Sequence, residues 1–485
     1  MESPLCQNLQ IRLLDGRQVR YVHLDFAATA PLLSEVAELV RAYEPLYGSV
    51  HRGSGHPAYL ATWLCEQARR FIGEFFGADP AFHQVLFGSN ATGAVNKLAR
   101  ILALTKNDIV LVSEIEHSSN DLPWRKWANI ERYRTLANHG VDMESLRTLL
   151  TSNAGKIRLV AVTGASNVTG HIPPIHDLAR LCHEFGVMLF VDCAQLAPHR
   201  QIHLSGHGPE DRIDCMVATG HKLGAPYGTS VLILPQQLVE PRNIPSDEPG
   251  GGTTDILTDA TPYWTASPDR FEGGSPNLIG ILAFAKALDV LQSTGFGPLH
   301  LQEQQLWRSA CSRLRSISKV RVLVDEGNDS ESTPIVPFNI DGMPHGLVAA
   351  SLAFEHGIGI RHGRHCADHL VMRMLGLSEE QQKKIIESAS RCGIPDNLGL
   401  ARASIGITTS EEDIDRLVEA VHALARNGPR FAYEPSRHVH PVSGRVSSQT
   451  GEFWPVNLTL QTFLESVIIP SELAFLGSRT QSPPI

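Results

Sequence analysis

The sequence contains no run of about 18 apolar residues, so nothing in it reads as a membrane-spanning helix and no membrane partner is expected. Its first residues, Met1-Glu2-Ser3-Pro4-Leu5-Cys6, form neither a basic n-region nor an apolar h-region, so no secretory leader is expected. It has no long Lys/Arg block and a formal charge of −9, which argues against nucleic acid as a partner. None of its 8 cysteines forms a C-x-x-C pair, which argues against a zinc ribbon or a thioredoxin-type site, and no metal site is expected. Several cysteines fall inside apolar patterns, where a thiol acts as a small core residue, so a reducing, cytoplasmic setting is the default. There is no internal repeat. What remains is a chain of 485 residues, 42% hydrophobic and 19% charged, enough for two or three domains with large cores.

Short apolar runs alternate with amphipathic segments. The runs are Val85–Phe87, Ile109–Val112, Leu159–Thr163, Val187–Val191, Met216–Ala218 and Ser230–Leu234. Helices are predicted over 31–47, 58–76 and 278–293, and the segment 177–185 places Leu178, Leu181, Cys182 and Phe185 on one face. Buried strands alternating with helices predict an α/β fold around a mostly parallel sheet covered on both sides. Beyond it, residues 299–425 predict a smaller α+β unit. Its helices fall at 299–316, 345–356 and 410–426, its strands near 320–324 and 335–340, and an irregular stretch at 357–369. The expected organisation is an N-terminal segment (1–20), a large domain (21–293), a small domain (294–428) joined by the N-terminal segment, and a C-terminal extension (429–485). Loops are expected at 249–255 and 271–277.

In sheets of this kind ligands gather at the carboxyl ends of the strands, so the residues after each run carry the functional signal. Lys222 follows Met216–Ala218 in Thr219-Gly220-His221-Lys222, and Asp192 ends Val187–Val191 thirty positions upstream. A lysine directly after a buried strand needs a reason, because ammonium groups are rarely buried unpaired. A Schiff-base lysine, with an aspartate on a pyridine nitrogen, is the arrangement of a pyridoxal phosphate site. The other strand ends supply fitting pieces. Asn90, Ala91 and Thr92 open a helix after Val85–Phe87, where a helix N-terminus takes phosphate. His117 follows Ile109–Val112 and suits stacking on an aromatic ring. Asn167 follows Leu159–Thr163, and Gln195 lies three residues past Asp192.

Together these residues resemble fold-type I pyridoxal phosphate enzymes of the class-V aminotransferase family, most of all cysteine desulfurases and selenocysteine lyases. The resemblance runs from about Val22 to Leu424. It rests on L-D-F-A-A-T-A (24–30), V-H-R-G (50–53), I-E-H-S-S-N (115–120), S-N-V-T-G (166–170), V-D-C-A-Q (191–195), T-G-H-K (219–222), F-E-G-G-S-P-N (271–277), I-R-H-G-R-H-C-A (360–367) and R-A-S-I-G (402–406). It implies pyridoxal 5'-phosphate linked to Lys222, with Asp192 on the ring nitrogen and His117 on the ring face. It assigns Asn167 and Gln195 to the ring oxygen, and Asn90, Ala91, Thr92, Thr219 and His221 to the phosphate side. Ser275 would reach the phosphate of a second subunit, which implies a homodimer with shared sites. Arg402 would clamp the carboxylate of an amino-acid substrate, a bidentate task suited to guanidinium, with Arg361, Ala28, His51 and Asn167 also near the substrate.

Cys366 stands where the resemblance puts a nucleophile that takes sulfur as a persulfide, leaving alanine and implying a possible sulfur-acceptor protein. His362, Arg364 and His365 give it a basic neighbourhood, of the sort that activates thiols. Three features depart from the family pattern: Thr219 where serine is usual, a longer stretch between Cys366 and Arg402 with a helix-like insert at 371–391, and the extension 429–485. Two enzyme readings therefore stand: a cysteine desulfurase or selenocysteine lyase, and a class-V enzyme acting on another amino acid as a carbon–sulfur lyase, an epimerase or a secondary-metabolism enzyme. A non-catalytic scaffold ranks below both, because Lys222 and Asp192 are present.

Overall fold

The computed structural model describes residues 9–433 apart from 52, 137–139, 325–331, 394 and 396. The expected extension at 429–485 therefore lies almost wholly outside the described residues. Seven strands build the large sheet: β1 (His83–Gly88), β2 (Ile109–Ser113), β3 (Asn129–Tyr133), β4 (Ile157–Thr163), β5 (Met188–Asp192), β6 (Cys215–Thr219) and β7 (Ser230–Pro235). Their order is β1-β7-β6-β5-β4-β2-β3. Only β7 runs antiparallel to its neighbours. The carboxyl ends of β1, β2, β4, β5 and β6 consequently share one edge.

Alternation along each strand explains why both faces are dry. Leu111, Val160, Val162, Leu189, Val191, Met216 and Ala218 face one core. Val110, Val112, Leu159, Ala161, Phe190, Cys215 and Val217 face the other. The first core is closed by α1 (Ser34–Tyr43), α2 (His56–Phe75) and the apolar α5 (Leu278–Thr294); α3 (Ala91–Ile101) covers the second, and α4 (Ile175–Glu184) packs Leu178 and Cys182 into the first. Asn90 fixes the start of α3: its Oδ1 accepts the Gly93 N–H at 2.8 Å, satisfying one of the orphan donors of the first turn.

A second sheet has the order β8-β9-β11-β10, all antiparallel, from β8 (Val320–Val322), β9 (Ile335–Ile340), β10 (Arg361–Gly363) and β11 (Leu400–Ser404). Helices α6 (Phe296–Arg315), α7 (His345–His356) and α10 (Glu411–Asn427) pack on it, around Trp307, Leu314, Val348, Leu352, Leu417 and Val421. Val22 and Leu24 join this core, and Val22–His23 pairs parallel with Ile358–Gly359, so the N-terminal segment belongs to the second layer. The stretch 357–369 contains strand β10. The segment 371–391 holds the end of α8 (Asp368–Met374) and most of α9 (Glu379–Cys392), two helices rather than one. The expected loop 249–255 leads into a small hairpin, Thr254–Leu257 against Pro262–Trp264. No single helix among the described residues is long and apolar enough to cross a membrane.

The loop after Phe271 is pinned from beneath. Arg69, buried on α2, donates to Glu272 Oε1 at 2.7 Å and Oε2 at 2.9 Å, and the Phe87 N–H donates to Oε1 at 2.7 Å. Glu272→Ala strands a buried guanidinium and is expected to cost about 3–5 kcal/mol of stability in denaturant unfolding. Glu66→Ala, which removes the half-exposed second partner of Arg69 at 3.4 Å, is expected to cost less than about 1 kcal/mol.

Candidate active site

Lys222 closes the short helical turn after β6 and points its Nζ at Gln195 Oε1, 3.2 Å away. Burial lowers its pKa to about 8, against the pull of Asp192 and Asp25 and with the push of Arg402 and Arg361. Asp192 ends β5, where burial pushes its carboxyl up while the Ala194 N–H, 3.0 Å from Oδ1, and Lys222 pull it down. Among the described residues that backbone N–H is the carboxylate's one hydrogen bond, and Oδ2 has none. His117 caps the turn after β2, with Nδ1 accepting the Ser119 N–H at 3.1 Å. Burial first, then Lys222 and Arg402, lower it to about 4, so it is a neutral ring at pH 7.

Opposite Lys222, the second sheet contributes Arg402 from the middle of β11. It is 2% exposed, donates to the Asn167 carbonyl at 2.6 Å and to Asp25 Oδ1 at 3.1 Å, and its Nε has no partner. Burial lowers it to about 10, offset chiefly by Asp25. Arg361, its register partner on β10, lies 3.6 Å from Asp25 Oδ2. Ala28 sits in the turn whose first carbonyl is that of Asp25, its N–H donating at 3.1 Å. Asn167 donates from Nδ2 to the His365 carbonyl at 2.8 Å, and its buried Oδ1 has no partner. Gly170 lets this turn meet the second sheet: its φ is +78°, and a Cβ there would lie 2.2 Å from the Thr333 carbonyl oxygen.

At the ends of β1 and β6, Asn90 and Ala91 begin α3, and Thr92 Oγ1 shares a 2.6 Å hydrogen bond with Ser119 Oγ, which ties the α3 terminus to the His117 turn. Thr219 is buried at the end of β6. His221 is lowered to about 4 by burial and Lys222, and its carbonyl accepts from Thr29 Oγ1 and the Ala30 N–H. Two expected residues stand apart. His51 has its N–H on Thr62 Oγ1 at 2.8 Å and its ring 3.7 Å from Asp269. Ser275 is exposed in the loop before α5, with no hydrogen bond to the strand-end cluster among the described residues.

Cys366 is exposed on the loop after β10. Its carbonyl accepts the Ser118 N–H at 2.6 Å and Ser118 Oγ at 2.9 Å, so the loop is fastened beside His117. His365 and Cys366 hold φ of +56° and +54°, a left-handed corner that costs β-carbon residues energy and persists only where surrounding bonds fix it. The basic neighbourhood expected here is weaker than the sequence implies. Burial lowers His362 to about 4 and His365 well below the usual imidazole range, so both are neutral at pH 7. Arg364 is paired with Asp368. Arg402 is a buried cation within electrostatic range of Cys366.

Two contributors escaped sequence reasoning. Asp25 holds Arg402 and Arg361 together, and it lies inside the L-D-F-A-A-T-A motif, which was the available signal. Glu116, next to His117, is buried. It accepts from Asn120 Nδ2 at 2.6 Å, the Thr163 N–H at 2.9 Å and Ser113, joining the ends of β2 and β4. Burial raises it to about 8 despite these bonds.

The aminotransferase class-V family matches residues 22–417. A cysteine desulfurase of Dickeya dadantii (strain 3937) is 30% identical over 426 residues, which cover 85% of this chain and 93% of that protein. One of Yersinia pestis (strain Pestoides F) is 29% identical over 416 residues, covering 84% and 93%. Among solved structures, the apo cysteine desulfurase of Thermococcus onnurineus NA1 superposes with a TM-score of 0.71 at 25% identity, covering 84% of this chain and 95% of that one. An S-sulfonic acid form of an Escherichia coli cysteine desulfurase gives 0.68 at 26% identity, covering 83% and 94%. With its whole core matched and its strand-end residues converging on Lys222, the chain belongs to the class-V aminotransferase family, a family of pyridoxal phosphate-dependent enzymes.

Proposed function

We propose that this enzyme binds pyridoxal 5'-phosphate through Lys222 and takes sulfur from L-cysteine, or selenium from selenocysteine, onto Cys366 with release of alanine. The observation that carries the reading is the seating of the Cys366 loop. It is bonded to Ser118 beside His117 and, through His365, to Asn167, so an exposed thiol shares one site with Lys222 and Arg402. The residues fit the cofactor: Asp192 keeps a carboxylate oxygen free, and Lys222 carries a lowered pKa. When bound, the cofactor supplies an electron sink for bonds broken at the substrate's amino-acid carbons.

The chain's own residues do the rest. Arg402 binds the substrate carboxylate, exchanging part of its contact with Asp25 for the incoming anion. Arg361, over half exposed, guards the same approach. Lys222 moves protons at Nζ, which a pKa near neutrality permits in both directions. Cys366 Sγ, as thiolate, forms a bond to the substrate sulfur while the carbon–sulfur bond breaks. The electron pair of that bond stays with the substrate carbon, which takes up a proton and leaves as alanine. The exposed Cys366 can then hand its sulfur to an acceptor protein.

Ser275, exposed and unattached to its own strand ends, fits a homodimer in which it reaches the partner's phosphate side. A cytoplasmic location accompanies this reading. The helices α8 and α9, inserted between Cys366 and Arg402, favour one second reading, a class-V enzyme for another amino acid. Purified enzyme given L-cysteine and a reductant is expected to release alanine and sulfide in equal amounts. Pyruvate and ammonia, an epimer, or no product would favour the second reading.

Cofactor capture should report the Lys222 environment. At pH 7 a lysine with pKa about 8 is free amine in about one molecule in ten, against about one in three thousand at the ordinary value. The rate at which cofactor-free protein takes up pyridoxal phosphate should rise about tenfold from pH 6 to 7 and level off above about pH 8. A rate still climbing through pH 9 would show an ordinary lysine.

A further inference from the structure

Behind Lys222 a line of hydrogen-bonding side chains leads out of the first layer to helix α6, and none of the steps above uses it. Lys222 Nζ, as ammonium, has only protons to give, so Gln195 must present its carbonyl oxygen, Oε1, at 3.2 Å. The amide nitrogen of Gln195 then faces His199 Nε2 at 3.5 Å. An amide nitrogen only donates, so His199 Nε2 must be bare and the ring proton must sit on Nδ1. Nδ1 lies 2.7 Å from Glu303 Oε1, an acceptor for that proton. Gln195, His199 and Glu303 are 3%, 4% and 1% exposed. Glu303 is itself anchored, with Oε2 3.5 Å from the Arg200 guanidinium, which also donates to the His199 and Ser332 carbonyls at 2.7 Å. Lys222 and His199 line one small cavity, with Phe26, Pro198, Leu223 and Ile407.

We infer that His199 and Glu303 are positioning residues: the Glu303 carboxylate fixes the His199 tautomer, and His199 thereby holds the Gln195 amide with its oxygen toward Lys222. The physical logic is that of a buried carboxylate setting the tautomer of an imidazole so that its other nitrogen can accept. In the opposite tautomer His199 Nε2–H would meet the Gln195 NH2 group donor to donor. The amide would turn, and its NH2 would face the ammonium. The relay also spans the two layers, since His199 follows β5 and Glu303 lies on α6 of the second. The inference rests on Lys222 as the reactive amine, but it is tested on cofactor-free full-length protein, so it stands or falls apart from the identity of the substrate.

Trace acylation with acetic anhydride across pH, read by peptide mass spectrometry, measures the free-amine fraction of Lys222. His199→Leu removes the acceptor that holds the amide, weakens its grip on the ammonium, and should raise Lys222 acylation at pH 7 about threefold. His199→Gln, whose Oε1 can still accept from Gln195, should restore the wild-type rate, which loss of packing alone would not predict. A folded His199→Leu protein with the wild-type rate, or a His199→Gln protein as altered as His199→Leu, would overturn the inference. Should His199→Leu fail to fold, 15N NMR of histidine-labelled wild-type protein decides. The His199 signal, assigned by its absence in His199→Gln, should show the Nδ1–H tautomer, and an Nε2–H tautomer would overturn it.

Discussion

Cys366→Ser is expected to abolish alanine release from L-cysteine, by on the order of a thousandfold or more, while leaving cofactor binding intact. A hydroxyl is far less nucleophilic than a thiolate at neutral pH and cannot carry a persulfide. The structure explains why the loss should be confined to chemistry. The bonds that seat this loop on the His117 turn use the Cys366 carbonyl, which serine retains. The left-handed corner at 365–366 involves backbone alone. Arg402→Ala provides the contrast. It removes the proposed carboxylate clamp and should raise the substrate concentration needed under either enzyme reading, whereas Cys366→Ser should matter only for sulfur transfer. Unchanged turnover of the preferred amino acid by Cys366→Ser would leave a class-V enzyme of another reaction type.

Lys222→Ala is expected to remove both the borohydride-fixable cofactor and turnover, again by about a thousandfold or more. Instability should not be the cause. The folded state lowers the Lys222 pKa from 10.5 to about 8, so below about pH 8 the fold carries an ammonium it disfavours. The linkage sign follows: the wild type binds fewer protons at this position when folded, and gains stability relative to the variant as pH rises from about 8 toward 10.5. At pH 7 the variant should melt no lower than wild type. Borohydride fixing the cofactor to the variant chain would mean that another lysine is the reactive one.

Much of this site was legible because its residues sit at the ends of short apolar runs. Asp192 and Thr219 end, and Lys222 follows, strands that read as continuous apolar runs, and the parallel order brings those ends to one edge. The edge strand Asn129–Tyr133 was not legible, since Glu131 and Arg132 break its apolar pattern and, among the described residues, one side of it has no neighbouring strand to demand one. Strand β10 hides likewise in Arg361-His362-Gly363, and only its pairing with β11 reveals it. The Asp25–Arg402 contact joins residues 377 positions apart, and no local pattern announces it. The histidines around Cys366 misled for a related reason. Their identity suggests positive charge, but their burial, invisible in the sequence, keeps them neutral.

The most direct test of the central claim is a single turnover of the cofactor-loaded enzyme with L-cysteine labelled with heavy sulfur, followed by alkylation and peptide mass spectrometry. The account predicts one labelled sulfur atom on the peptide bearing Cys366, in an amount matching the alanine formed. Alanine formed with no label on Cys366, or label on another cysteine of the chain, would contradict it.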